Sequence, residues 1–95
     1  MAELTMTEQD IVNAICMYAA KNYPVQPEDV EVELAYDEEV FSAEAVIQGE
    51  TYSLTSFQMI QAIRLWIEEV VQEDPFAAGI RLLFDRNEGI IASIH

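Results

Sequence analysis

The amino-acid sequence predicts an α+β domain: two helices on one face of a mainly antiparallel sheet of five strands, with room for a sixth at the N-terminus. Three observations carry this reading. Two segments repeat apolar residues at three- and four-residue steps, short runs between and after them alternate apolar with polar residues, and Pro, Gly and acidic clusters punctuate the joins. With 95 residues, 52% of them hydrophobic, the chain suffices for one core rather than two, so residues 1–95 read as a single domain.

The first helix starts at Thr7-Glu8-Gln9-Asp10, where a hydroxyl followed by acids caps free N–H groups and suits the positive end of the helix dipole. Ile11, Ile15, Tyr18 and Ala19 form its apolar stripe. Pro24 disfavours helical geometry at Tyr23, which places the end near Asn22. Pro27-Glu28-Asp29 reads as a turn, after which Val30, Val32, Leu34 and Tyr36 alternate with Glu31, Glu33 and Ala35 as a half-buried strand. Beyond Asp37-Glu38-Glu39, the residues Phe41, Ala43, Ala45 and Ile47 return as its antiparallel partner. Gly49 turns the chain into a short strand at Tyr52 and Leu54. Thr55 then caps a helix expected over 56–73, with Phe57, Ile60, Ile63, Ile67, Val70 and Val71 buried, Met59 and Trp66 beside them, and Pro75 as the stop. Ile80, Leu82 and Phe84 form the next strand, and Ile90, Ala92 and Ile94 the last, across the turn Asp85-Arg86-Asn87-Glu88-Gly89.

The same unit reads as if written twice, over about 1–48 and 49–95. Shifted by 48 residues, Thr7 falls on Thr55, Ala14 on Ala62, Ile15 on Ile63, Pro27 on Pro75, Leu34 on Leu82 and Asp37 on Asp85. One extra residue in the second turn then brings Phe41 onto Ile90 and Ala43 onto Ala92. A shared apolar rhythm explains the aliphatic matches but not the Thr, Pro and Asp at equivalent boundaries. In this register Leu4 and Met6 stand where Tyr52 and Leu54 do, which is the ground for a sixth strand.

Charge excludes more than it identifies. Eighteen Asp and Glu against four Lys and Arg give a formal net charge of −14, a field that repels phosphates, so direct nucleic-acid binding is not expected. The apolar stretches are too short or too interrupted to span a membrane, and no basic, apolar leader opens the sequence, so the expected setting is the cytosol. Three scattered Gly build no phosphate loop, and the lone Cys16 sits among apolar residues as an inert thiol. The one histidine, His95, is the last residue and a poor general base. No enzyme activity and no cofactor are therefore expected.

Tyr18, Trp66, Tyr36 and Phe84 fall on predicted inward positions, where core packing explains them better than a ligand box. The outward sheet positions are more informative. Glu31, Glu33 and Glu44 stand there beside Val46, Leu83 and Ile91, an apolar patch with a charged rim of the kind that marks an interface. This surface predicts a non-catalytic module for an unidentified protein partner or for self-association as a homodimer. Two rivals use the same acids: a carboxylate site for a divalent cation, for which neither acidic turn has an EF-hand pattern, and an acidic decoy for a basic, nucleic-acid-binding partner.

Thr7-Glu8-Gln9-Asp10-Ile11, Val25 through Leu34, Ala62-Ile63-Arg64-Leu65-Trp66 and Asp74-Pro75-Phe76-Ala77-Ala78 resemble a small acidic family of Bacillus and related Firmicutes, domain-of-unknown-function family 2653. The resemblance covers nearly the whole chain and implies a cytosolic bacterial protein. It brings no catalytic or binding residues, because the matching segments are mostly caps, turns and core positions.

Overall fold

In a computed structural model, which describes residues 4–77 and 79–95, six strands and two helices follow the order β1 (Leu4–Met6), α1 (Glu8–Asn22), β2 (Glu31–Asp37), β3 (Val40–Ile47), β4 (Glu50–Leu54), α2 (Ser56–Trp66), β5 (Ile80–Asp85) and β6 (Gly89–Ile94). The N-terminal strand is present, and the element types follow the sequence. The expected single sheet is not formed. The strands make two three-stranded antiparallel sheets, ordered β1-β6-β5 and β2-β3-β4. Each short strand adds to the far side of the other half's hairpin, β1 to β6 and β4 to β3. In each sheet the central strand, β6 or β3, is flanked by two edges, and on the β2 edge the charges at Glu31, Glu33 and Asp37 are of the kind that discourage further pairing.

The registers of the two sheets correspond residue by residue. Met6 pairs Ala92 as Leu54 pairs Ala43, Leu4 pairs Ile94 as Tyr52 pairs Ala45, and Leu82 pairs Ala92 as Leu34 pairs Ala43. Both helices open with the same device. The Thr7 hydroxyl accepts from the Asp10 N–H while the Asp10 carboxylate accepts from the Thr7 N–H, and Thr55 with Gln58 repeats the reciprocal pair. The helices pack on each other, and α1 touches strands of both sheets. Between them lies a core of Met6, Ile11, Ile15, Met59, Ile63, Ile67 and Ile94, all fully buried.

Several expected core residues lie elsewhere. In α2 the buried residues are Met59, Ala62 and Ile63, followed by Ile67, while Phe57 is 67% exposed and Val70 53% exposed. The stripe is the one used by Ile11, Ala14, Ile15 and Ala19 in α1, so Phe57 stands where α1 has Gln9, and Val70 where it has Asn22. Trp66 is half-buried against the core. The helix expected to run to residue 73 changes pitch: Ile67–Val71 form a π-helical turn closed by Gln72 in the left-handed region, φ 60°. Tyr36 and Phe84, expected inside, are 38% and 54% exposed at the ends of their strands.

Three turns close the hairpins. Glu38 and Glu39 both adopt positive φ (50° and 66°) in the two-residue turn between β2 and β3, as Gln48 and Gly49 do (51° and 82°) between β3 and β4. The β5–β6 turn is one residue longer and is organised by Asp85, whose Oδ1 accepts from the N–H groups of Asn87 and Glu88 at 2.8 and 3.0 Å. Glu8 ties this turn to the start of α1 by accepting the Ile90 N–H at 3.1 Å.

Candidate functional site

The outward residues singled out in the sequence separate onto the two sheets. Glu33 lies directly across from Glu44, and Glu31 from Val46, in the β2-β3-β4 sheet. Together with Val32 and Thr51 these four line one shallow depression of about 310 Å³. Leu83 lies directly across from Ile91 in the other sheet. The mixed patch expected on one continuous face is thus an acidic depression on one sheet and an aliphatic pair on the other. Two carboxylates facing each other across a ladder repel. Among the described residues, no group of three or more His, Cys, Asp or Glu is placed to hold a metal ion.

Cys16 is buried, and its thiol donates to the Val30 carbonyl at 3.6 Å. Burial holds that thiol above its ordinary pKa, which disfavours the reactive thiolate. His95 pairs its backbone with Gly79, its N–H reaching the Gly79 carbonyl at 2.9 Å.

Sequence reasoning missed two places. The first lies where the hairpins of the two sheets meet. The Tyr36 and Phe84 rings stack with centroids 4.9 Å apart and planes 8° from parallel, and Phe41 adds a tilted contact 4.6 Å from Tyr36. Val40, 61% exposed, is a neighbour in the chain. Asp37, Glu38, Glu39 and Glu88 are exposed along the same two turns, with Arg86 among them. An exposed aromatic pair with an acidic rim is thereby held by both sheets at once.

The second is a pocket of about 360 Å³ between the end of α1, strands β3 and β4, and the start of α2. Ile15, Ala19, Ala45, Ile47 and Leu54 are its buried apolar lining, and Tyr18, Tyr23 and Tyr52 bring three phenol rings, with Asn22, Ser53 and Gln58 at its polar margin. Tyr23 and Tyr52 touch, centroids 5.1 Å apart. The Tyr52 hydroxyl donates to Glu50 Oε2 at 2.9 Å, and this bond, then desolvation and the Glu50 charge, hold the phenol above its usual pKa. The signal for this pocket lies in the 48-residue shift. Ala19 falls on Ile67, and beyond the longer turn Ala45 falls on Ile94.

These features define a small acidic α+β domain of two interlocked three-stranded sheets, whose candidate sites are an exposed hairpin tip and a pocket. The chain belongs to the family described as Protein of unknown function (DUF2653), whose model matches residues 1–87. It is similar to the uncharacterized protein YxcD of Bacillus subtilis (strain 168), at 34% identity over 93 residues, covering 96% of this chain and 91% of the relative. No solved structure matches. Among the described residues, no helix is long and apolar enough to cross a membrane.

Proposed function

We propose that this chain is a non-catalytic, cytosolic protein-interaction module whose helix-hairpin unit has been duplicated, and that it binds a basic partner protein through the aromatic tip shared by its two hairpins. The stacked Tyr36–Phe84 pair carries the reading. Aromatic rings left in water at a point fixed by two sheets are anchors of the kind that dominate interface energies, and the flanking carboxylates select for a cationic counterpart. A net charge of −14 on each copy opposes apposing two such tips, which favours a basic partner over a second copy. The duplication is supported by the matched registers and matched caps, and by the place of Tyr36 and Phe84 themselves, which are counterparts under the same shift.

The test is affinity capture from a bacillus lysate on immobilised wild-type chain and on a Tyr36→Ser/Phe84→Ser variant with a native thermal melt. A basic protein held by the wild type, released by salt and lost from the variant, is the expected result. Equal capture by both baits would overturn the tip as the contact, and a dimer in sedimentation that the variant abolishes would replace the basic partner with a second copy.

A further inference from the structure

We propose that the pocket lined by Tyr18, Tyr23 and Tyr52 is a binding site for a small organic cation, an alkyl- or arylammonium whose hydrocarbon part rests on the alanine-lined floor while its charge lies against the phenol rings beside Glu50. The inference is independent of the hairpin tip.

Space comes first. At the two positions where the second half buries Ile67 and Ile94 almost completely, the first half carries Ala19 and Ala45, which are themselves buried and line the pocket. The pairing makes these positions equivalent, since Ala45 lies opposite Tyr52 as Ile94 lies opposite Leu4. The same frame is therefore filled by isoleucine in one half and left open over alanine in the other. The resulting volume, about 360 Å³, falls at the small end of the range of ligand sites, roughly 300–1,000 Å³.

The walls then choose the ligand. Leu4, lent to the second half's hairpin, corresponds to Tyr52 here, and Val71 to Tyr23, so aromatic faces stand where the other sheet's site has aliphatic side chains. The face of a phenol ring is negative and attracts an ammonium group. Glu50, bonded to the Tyr52 hydroxyl, sets a carboxylate at the outer end of that ring. No Lys or Arg is among the lining residues, and the field of a chain with net charge −14 draws cations in and turns anions away. Asn22, Ser53 and Gln58 supply polar groups at the margin.

The experiment titrates isotope-labelled protein, at constant ionic strength, with benzyltrimethylammonium, benzyl alcohol and benzoate, reading backbone amide shifts. The cation should saturate, with the largest shifts at Asn22, Tyr23, Tyr52, Ser53 and Gln58, while benzoate gives none and benzyl alcohol binds at least ~10-fold more weakly. Ala19→Ile/Ala45→Ile, which writes the second half's residues into the first, should abolish binding. Tyr52→Leu, which keeps the floor open, should weaken it ~10-fold and so serves if the filled variant does not fold. Equal affinity for the alcohol, non-saturating shifts spread over the acidic turns, or undiminished binding by both variants would overturn the proposal.

Discussion

The two halves of this molecule share a frame and differ in what fills it. Each opens its helix on a threonine box, buries residues at equivalent helical positions, and lends a short strand to the other half's hairpin. Yet the second half buries Ile67 and Ile94 where the first has Ala19 and Ala45, and the first surrounds the space so left with tyrosines. One backbone pattern thus tolerates both a packed and an open interior, provided that the rest of the core, with Ile15 and Ile63 fully buried in both halves, is kept.

The comparison breaks most readily at Ile67. Changing Ile67→Ala copies the first half's residue into the packed half and should cost about 2–5 kcal/mol in urea denaturation, because the surrounding core cannot collapse onto the void. A loss below about 1 kcal/mol would mean that the second half is no more tightly packed than the first.

The turns offer a smaller contrast. Gly49 and Gly89 both have positive φ, but a Cβ on Gly49 would meet open space, whereas one on Gly89 would run into the Glu8 carboxylate. Gly49→Ala should cost about 1 kcal/mol and Gly89→Ala about 1–3 kcal/mol. A double-mutant cycle with Glu8→Ala, which removes the obstructing group, should bring the two costs together. If the gap persists in that background, Glu8 is not its cause.

A smaller effect still separates Asp85 from its counterpart Asp37. Hydrogen bonds from the Asn87 and Glu88 amides hold the Asp85 carboxyl below the usual carboxylate pKa. The folded state therefore favours its charged form. Its stabilisation is present above the unfolded-state pKa and is lost as pH falls through the lower folded value. Asp85→Asn should leave a shallower loss of stability between neutral and acid pH, seen in urea midpoints across that range. An unchanged acid limb would show that the turn does not depend on the charge.

Much of this frame was legible in the sequence, and what was not has physical reasons. The caps at Thr7 and Thr55, both helix starts and the hairpins follow from local chemistry and alternation, and the β1 strand from the shift that sets Leu4 and Met6 on Tyr52 and Leu54. Alternation fixes which face a strand residue occupies but not which edge it joins, so the division into two sheets lay beyond it. Phe57 fits an apolar stripe at helical spacing with Ile60, Ile63 and Ile67, but the shift aligns it with Gln9 of α1, and it is exposed like that counterpart. Tyr36 and Phe84 continue the inward alternation and are nevertheless exposed at the strand ends. The acids Glu31, Glu33 and Glu44 are exposed as their alternation implies, but without the sheet order their separation from Leu83 and Ile91, which lie on the other sheet, could not be seen. The pocket was hidden for a different reason: a buried alanine is unremarkable until its counterpart is known to be isoleucine.

The central claim, that the first half is an open version of the second, is tested most directly by the urea midpoint of the Ala19→Ile/Ala45→Ile variant. Filling space that exists should leave the fold intact and raise stability by about 0.5–2 kcal/mol. A loss of about 1–3 kcal/mol, the usual result of overpacking a filled core, would show that the alanines already fit their surroundings and that the two halves do not differ as described.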